Sequence, residues 1–420
     1  MKLNHVSSVL RTSTVLLRPT LEVEQRLRDL ANASSILWNT ANYERRQAFY
    51  ERQKIPSYAD QCRTLKDNEV FKTLGTCKAQ ALLSKLNEAW RSFFALLRLK
   101  KSGKLPSHIK KLSPPRYWKQ NGKRQLKGFC VRNDGWKMDE ETISVSKELK
   151  ISYQCGQLWV GKQGRLEVVR DDLREKWYAH IPVEVQYEPP SRICSKKASL
   201  DLGICNLATL YIEGKRPIIF SGRAVLSDWV YHTKKMAERQ SNLPKRKHVS
   251  KQIRISFRKR QRRLRHSINS MLRSIFETLE LKDVGELIIG DLKGIRENTN
   301  HGKSGNQKIH NFWPYGLVEK RIKELGAEYG ITIAKVSERD TSKTCSLCGK
   351  RHNGRIHRGL MVCKDAHQTI NADVNGAINI MKVAVNRPLS TVLSTTVGGA
   401  SGSGLMAEPL LLRWNYNEWR

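Results

Sequence analysis

Three cysteines and a histidine near the C-terminus have the types and spacing to grip one metal ion. They run Cys345-x2-Cys348, then Cys363-x3-His367. Two thiolates two residues apart on a tight turn reach the same ion, and Gly349 follows directly, as such turns often require. Three Cys and one His make a closed tetrahedral set for zinc, so the expected role is structural. His352, His357 and Asp365 compete for the place given to His367. So short a loop buries little core, and zinc would supply it with folding free energy on the order of 10 kcal/mol.

A second chemistry belongs to two aspartates. Asp201 sits in Ser199-Leu200-Asp201-Leu202-Gly203. On a pleated strand its side chain points away from Leu200 and Leu202, and Gly203 would allow a metal or a phosphate close to the backbone. Asp373 lies at the start of a helix expected over 374–383. Carboxylates gathered from distant segments can hold a pair of divalent ions about 3.5–4 Å apart and hydrolyse a phosphodiester. Taken singly, Asp201 equally suits a turn and Asp373 a helix cap.

Composition points to the substrate. The chain has 420 residues, with 76 Lys+Arg against 39 Asp+Glu and a formal net charge of +37. So large an excess repels itself unless a polyanion neutralises it, which makes nucleic acid the expected partner over a long contact. No long apolar run or amphipathic anchor accompanies the charge, so no membrane partner is expected. Of nine cysteines, Cys62, Cys77, Cys130, Cys155, Cys194 and Cys205 are scattered, which fits a reducing cytosol better than a disulfide framework. The start, Met1-Lys-Leu-Asn-His, has no secretory apolar segment.

The expected fold class is multidomain α+β, in which four kinds of segment position these groups. A strand is expected over 8–18, then Thr20 as a helix cap with Glu22 and Glu24 in the first turn. Helical periodicity continues to about residue 100, with Leu27, Leu30, Ala31, Leu37, Trp38 and Ala41 on one face and Leu82, Leu83, Leu86, Trp90 and Phe93 on another. After a basic linker with Pro114-Pro115, short alternating runs over 116–188 predict a small antiparallel β-barrel. Beyond Pro189-Pro190, strands are expected at Ala198–Leu202, Leu207–Ile212, Ile218–Ser221, Glu286–Ile289 and Thr332–Val336, with helical crossovers that make an α/β sheet. An insert over about 223–280 is helical and basic, and Arg254, Arg258, Arg260, Arg262 and Arg263 are its candidate phosphate contacts. The Ser/Gly/Thr-rich tail, 388–420, is expected to be flexible.

Together, Asp201-Leu-Gly-Ile, Gly290-Asp291-Leu, Thr341-Ser-Lys-Thr-Cys-Ser-Leu-Cys-Gly349 and Asp373-Val-Asn-Gly-Ala-Ile-Asn-Ile380 resemble TnpB. This is the family of transposon-associated, RNA-guided DNA nucleases thought to be ancestral to type V CRISPR effectors. The resemblance covers about 196–385. It implies an RNase H-like (RuvC) nuclease domain over 191–340, a zinc knuckle over 341–370 and a closing RuvC helix over 371–387. By architecture, 1–19 and 116–190 resemble the family's wedge and 20–115 its helical recognition domain. The implied cofactors are two Mg²⁺ and one structural Zn²⁺. The implied partners are a guide RNA and a double-stranded DNA target with a short flanking motif, bound by a monomer in a prokaryotic cytoplasm and at the nucleoid when on DNA. Asp201 matches the first catalytic acid and Asp373 the last.

The family's middle acid is a glutamate directly before Asp-Leu, where this chain has Gly290. Asp291 is adjacent, but one step along a strand turns its side chain to the other face. Glu338 lies just past a strand expected to run parallel to the one ending at Gly290, about 4.8 Å away. Glu338 is therefore the expected third acid and Asp291 the alternative. Beyond a transposon nuclease, the residues allow a guided DNA-binding protein with an inactivated site, a compact type V CRISPR effector, or a DNA-joining transposase, which the knuckle and domain order fit poorly.

Overall fold

The computed structural model describes residues 7–106, 109–120, 122–146, 149–154, 159–187, 196–291, 300, 302–351, 355–357, 359–385 and 408–420. Cys155, Cys194, His352, Pro189-Pro190 and most of the Ser/Gly/Thr-rich tail lie outside the described residues. The chain divides into two units, Met1–Glu188 and Pro189–Arg420.

In the first unit, Thr20 caps the helix Leu21–Tyr50 by accepting from Val23 N at 3.4 Å. Its apolar stripe packs on the helix Thr76–Lys101, where Leu82, Leu83, Leu86 and Trp90 are buried. The strand Ser7–Leu17 does not stand apart. It pairs antiparallel with Lys176–Tyr187 and Leu149–Gln154 inside one eight-stranded sheet. The barrel expected over 116–188 is thus seen as a sheet path from Gly128–Val131 to Trp136–Met138 that needs this N-terminal strand at its centre.

The second unit is built on a six-stranded sheet in the order Thr332–Val336, Val284–Gly290, Lys196–Asp201, Asn206–Ile212, Ile218–Ser221, Leu410–Arg413. Lys196–Asp201 pairs parallel with Val284–Gly290, and Val284–Gly290 with Thr332–Val336. Strand periodicity sorts the side chains onto two faces. Ala198, Leu200, Leu287 and Ile289 join one core with the helices Lys251–Leu281 and Tyr315–Tyr329. Tyr211, Ile219 and Ile288 join the other, against the helix Ala372–Ala384. Lys251–Leu281 supplies Leu264, Ile268, Met271, Leu272, Ile275 and Leu279 at helical spacing, all buried. At about 1.5–3 kcal/mol per buried side chain, this stripe is a main hold on the sheet. Trp313 is buried in the same core.

The end of the tail differs from the flexible segment expected. Leu410–Arg413 adds a parallel edge strand to Ile218–Ser221, and the Trp414 and Trp419 rings meet at a tilt with centroids 5.4 Å apart. The reason is compositional: the apolar Leu410-Leu-Leu412 and the aromatic end lie past the Ser/Gly run that dominates the segment's average. No described helix is long and apolar enough to cross a membrane.

Candidate active site

Asp201 ends the central strand. Ser199, two residues before it, donates to Ala377 O at 2.6 Å, so Ser199 and Asp201 face the helix Ala372–Ala384 while Leu200 faces the opposite core. The helix accommodates the carboxylate because residue 376 is glycine: a Cβ there would stand 2.5 Å from Asp201 Oδ2. Gly203 serves a different close approach from the one expected, since a Cβ there would meet Asn206 O at 2.7 Å.

Asp373 is in the first turn of that helix, but it is not the cap. Asn371 is, accepting from Asp373 N at 2.9 Å and Val374 N at 3.3 Å. The Asp373 carboxylate is thereby released from capping, and it accepts from Asn206 Nδ2 at 2.6 Å. The helix N-terminus favours its negative charge.

Glu338 follows the edge strand. Gly290 pairs with Val336 across the parallel ladder, and the chain beyond Val336 turns back over it. A side chain at 290 would overlap the Glu338 carboxylate, so Glu338 fills the volume that Gly290 leaves. Glu338 Oε1 is buried without a hydrogen-bond partner. Asp291 anchors its backbone to the same strand, N to Val336 O at 2.7 Å, and its charge reaches Glu338.

The electrostatics join the three expected acids. Burial first, then the charges of Asp373 and Glu338, push Asp201 up to about 8. Glu338 is also raised, by burial and then by Asp291. Such a set costs free energy in isolation and suits divalent cations, which repay desolvation and repulsion together. The orphaned Glu338 oxygen and the raised Asp201 fit that role. The ligand oxygens do not all lie within 4.8 Å of one another; among the described residues only a cysteine trio does. Carboxylates distributed around two ions have no need to.

That trio is Cys345, Cys348 and Cys363. Without a metal, burial pushes the Cys348 thiol up to about 12. His367 does not join it. It is exposed and takes the left-handed conformation, φ +49°. The two arms of the knuckle show why. In the first, Gly349 follows Cys348 with φ +73°, and its N–H donates to Cys345 O at 2.9 Å. In the second, Ala366 N donates to Cys363 Sγ at 3.3 Å, and His367 follows with positive φ. Position 366 thus repeats position 348 and position 367 repeats 349. Ala366 stands where a fourth thiolate would be, and His367 takes the glycine's place and points to solvent. Among the described residues, three thiolates of the expected four-ligand set come together. Asp365 pairs with Lys350 at 3.2 Å instead.

Sequence reasoning missed what holds the knuckle to the helix. Asn375 accepts from Ser346 N at 2.6 Å and donates to Thr344 O at 2.9 Å. Asn379 donates to Thr341 O and Thr344 O at 2.8 and 2.7 Å. Lys382 donates to Ser346 O at 2.9 Å, close to Cys345 and Cys348. Polar residues at i, i+4 and i+7 of an otherwise apolar helix were the available clue.

Of the five arginines, Arg254, Arg258 and Arg262 are exposed. Arg263 is tied to Asp228 at 2.7 and 2.8 Å. Arg260 is buried, its guanidinium 4.8 Å from the Trp229 ring centroid.

The chain has relatives among known proteins. Residues 180–296 match the profile of a family described as "Probable transposase", and 315–380 match "Cas12f1-like, TNB domain". The chain is 33% identical to "TnpB-like protein ORF457" of Acidianus two-tailed virus, over 91% of this chain and 90% of that protein. It is 24% identical to the Escherichia coli (strain K12) protein named "Putative RNA-guided DNA endonuclease InsQ", over 87% and 90%. The fold is similar to that of Cas12f1 solved in complex with sgRNA and target DNA: TM-score 0.56 at 15% identity, covering 89% of this chain and 98% of that one. The chain belongs to the TnpB family.

Proposed function

We propose that the protein is an RNA-guided DNA endonuclease of a transposable element, cutting through a RuvC-type, RNase H-like site. The observation that carries this is the Glu338 carboxylate filling the space over Gly290 and reaching Asp201 electrostatically. A chain that had lost its third acid would have no need to restore one there. The relatives' names and the net charge of +37 support guide RNA and double-stranded DNA as partners, with pairing supplying sequence specificity and the protein holding backbone phosphates.

Asp201, Glu338 and Asp373 would hold two Mg²⁺. Bound there, the ions supply Lewis-acid activation of water and stabilise the leaving oxygen. The chain's own contribution is position and charge. Asn206 fixes the Asp373 carboxylate, Gly376 gives Asp201 room, and the Gly290 gap seats Glu338. Asp201, raised to about 8, would give up its proton on engaging an ion. Ser342 and Lys343, just beyond Glu338 in the chain, would steady the target strand. Cys345, Cys348 and Cys363, whose sulfurs lie within 4.8 Å of one another, would supply three of the four ligands of a structural Zn²⁺. Residues 7–187 are assigned to the wedge and recognition functions, and a short motif beside the target to their readout.

The test is cleavage of a guide-matched plasmid with Mg²⁺, using a guide identified by sequencing the RNA that copurifies. Wild type should cut; Asp201→Ala and Glu338→Ala should bind without cutting. Wild-type binding without cleavage would select the inactivated-site alternative. Activity that survives Glu338→Ala and is lost in Asp291→Ala would transfer the role to Asp291.

A further inference from the structure

A cavity of about 290 Å³ opens between the helices Arg223–Ser241 and Lys251–Leu281 and the C-terminal segment, lined among others by Trp229, Arg260, Arg263, His266, Trp414 and Tyr416. Its size is near the lower end of small-ligand pockets, about 300 Å³. Nothing in the cleavage chemistry uses it.

Its charge is unbalanced in a specific way. Arg260 is only 7% exposed, yet no carboxylate pairs with it among the described residues. Its hydrogen bond goes to a neutral acceptor, Thr233 Oγ1, at 2.7 Å. Its Nε is buried with no partner, and so is Nε1 of Trp229. Burial alone acts on the Arg260 pKa, lowering it, with no anion to raise it. The one carboxylate in the wall, Asp228, is committed to Arg263 through both oxygens. Arg262 adds to the positive side. A buried cation without a counter-charge is costly, and an anion supplied from outside removes that cost.

The cavity also offers a flat surface. Arg263 lies 5.2 Å from the ring centroid of Tyr416, which is 51% exposed. Guanidinium and aromatic faces together are what splayed nucleobases stack on, whatever their sequence.

We propose that this cavity captures one nucleotide unit of a nucleic-acid strand, its phosphate at Arg260 and its base against Tyr416. The strand can be RNA or DNA; the recognised chemistry is the same. The proposal rests on the nucleic-acid reading above for the source of the strand, and not on cleavage.

Calorimetric titration of the full chain, freed of copurifying nucleic acid, with adenosine 5′-monophosphate tests it. One binding site is expected, weakened at least about tenfold in Arg260→Met and in Tyr416→Ala, with adenosine itself at least about tenfold weaker than the monophosphate. Tyr416 is exposed, so its variant reports on the cavity even if Arg260→Met fails to fold. Single strands bearing 4-thiouridine or 4-thiothymidine then identify the source by which of them photocrosslinks to residues 414–416. Absence of monophosphate binding, or equal affinity in wild type and Tyr416→Ala, overturns the proposal. Neither assay reads cleavage, so its failure leaves the nuclease reading standing.

Discussion

Glu338 and Gly290 occupy one side-chain volume between them. Gly290 ends a strand with no side chain, and Glu338, two residues past Gly290's ladder partner Val336, lays its carboxylate across the gap. The acid's position in space is separated from its position in the chain. Gly290→Glu alone should therefore clash with Glu338 and abolish cleavage. Gly290→Glu combined with Glu338→Ala should recover part of it. Glu338→Ala alone should lose at least about a hundredfold in kcat, as removal of a metal ligand does. Plasmid cleavage by the four proteins checks this, and a double variant as inactive as the singles would contradict it.

Gly376 has a similar spatial role. A Cβ there stands 2.5 Å from Asp201 Oδ2, so Gly376→Ala must displace either the helix or the acid. Overpacking of this kind costs about 1–3 kcal/mol. A lower melting temperature together with slower cleavage is expected. Unchanged cleavage would mean that Asp201 need not lie against this helix.

The raised Asp201 pKa makes a pH prediction. The folded value, about 8, lies above the unfolded one. The stability contribution is therefore full below about pH 4 and is lost as pH rises from there to about 8, because the unfolded state ionises first. Without divalent metal, Asp201→Asn should melt higher than wild type at pH 7, by up to about 4 kcal/mol, and the difference should vanish near pH 4. Mg²⁺ should bind more tightly as pH rises to 8, with about one proton released per Asp201 engaged. Calorimetry in buffers of different ionisation enthalpy reads that proton.

At the knuckle, Ala366→Cys should restore a fourth thiolate and raise zinc retention against a chelator at least about tenfold. His367→Ala should leave retention unchanged, because that ring faces solvent. Cys345→Ser should release the ion. A His367→Ala protein that loses zinc would return the histidine to the ligand set.

Much of this was legible in the residues. All five sheet strands expected in the second unit are present, because alternating apolar runs bounded by turns report on burial directly. The opposite facing of Asp201 and Leu200, and the parallel neighbours ending at Gly290 and Val336, followed from strand geometry. Glu338 could be expected beside Gly290 because ladder neighbours are close in space. Less legible was anything set by a single backbone angle. His367 has the right chemistry and nearly the right spacing, but its positive φ turns the ring outward. Arg260 looks like its neighbours in a basic run, and only the helix phase buries it against Trp229. The ordered end of the tail was hidden by averaging its composition with the Ser/Gly run before it.

The helix Ala372–Ala384 presents Asp373 at its first turn and holds the knuckle through Asn375, Asn379 and Lys382. One rigid rod is thus shared by two clusters of ligating atoms. An ion that orders the sulfur cluster lowers the entropy left to lose when another seats among the carboxylates, and thermodynamic reciprocity requires the converse by the same factor. With ions bound, occupancy of either cluster would bias the other through this shared helix, with no effector site beyond the ligands themselves.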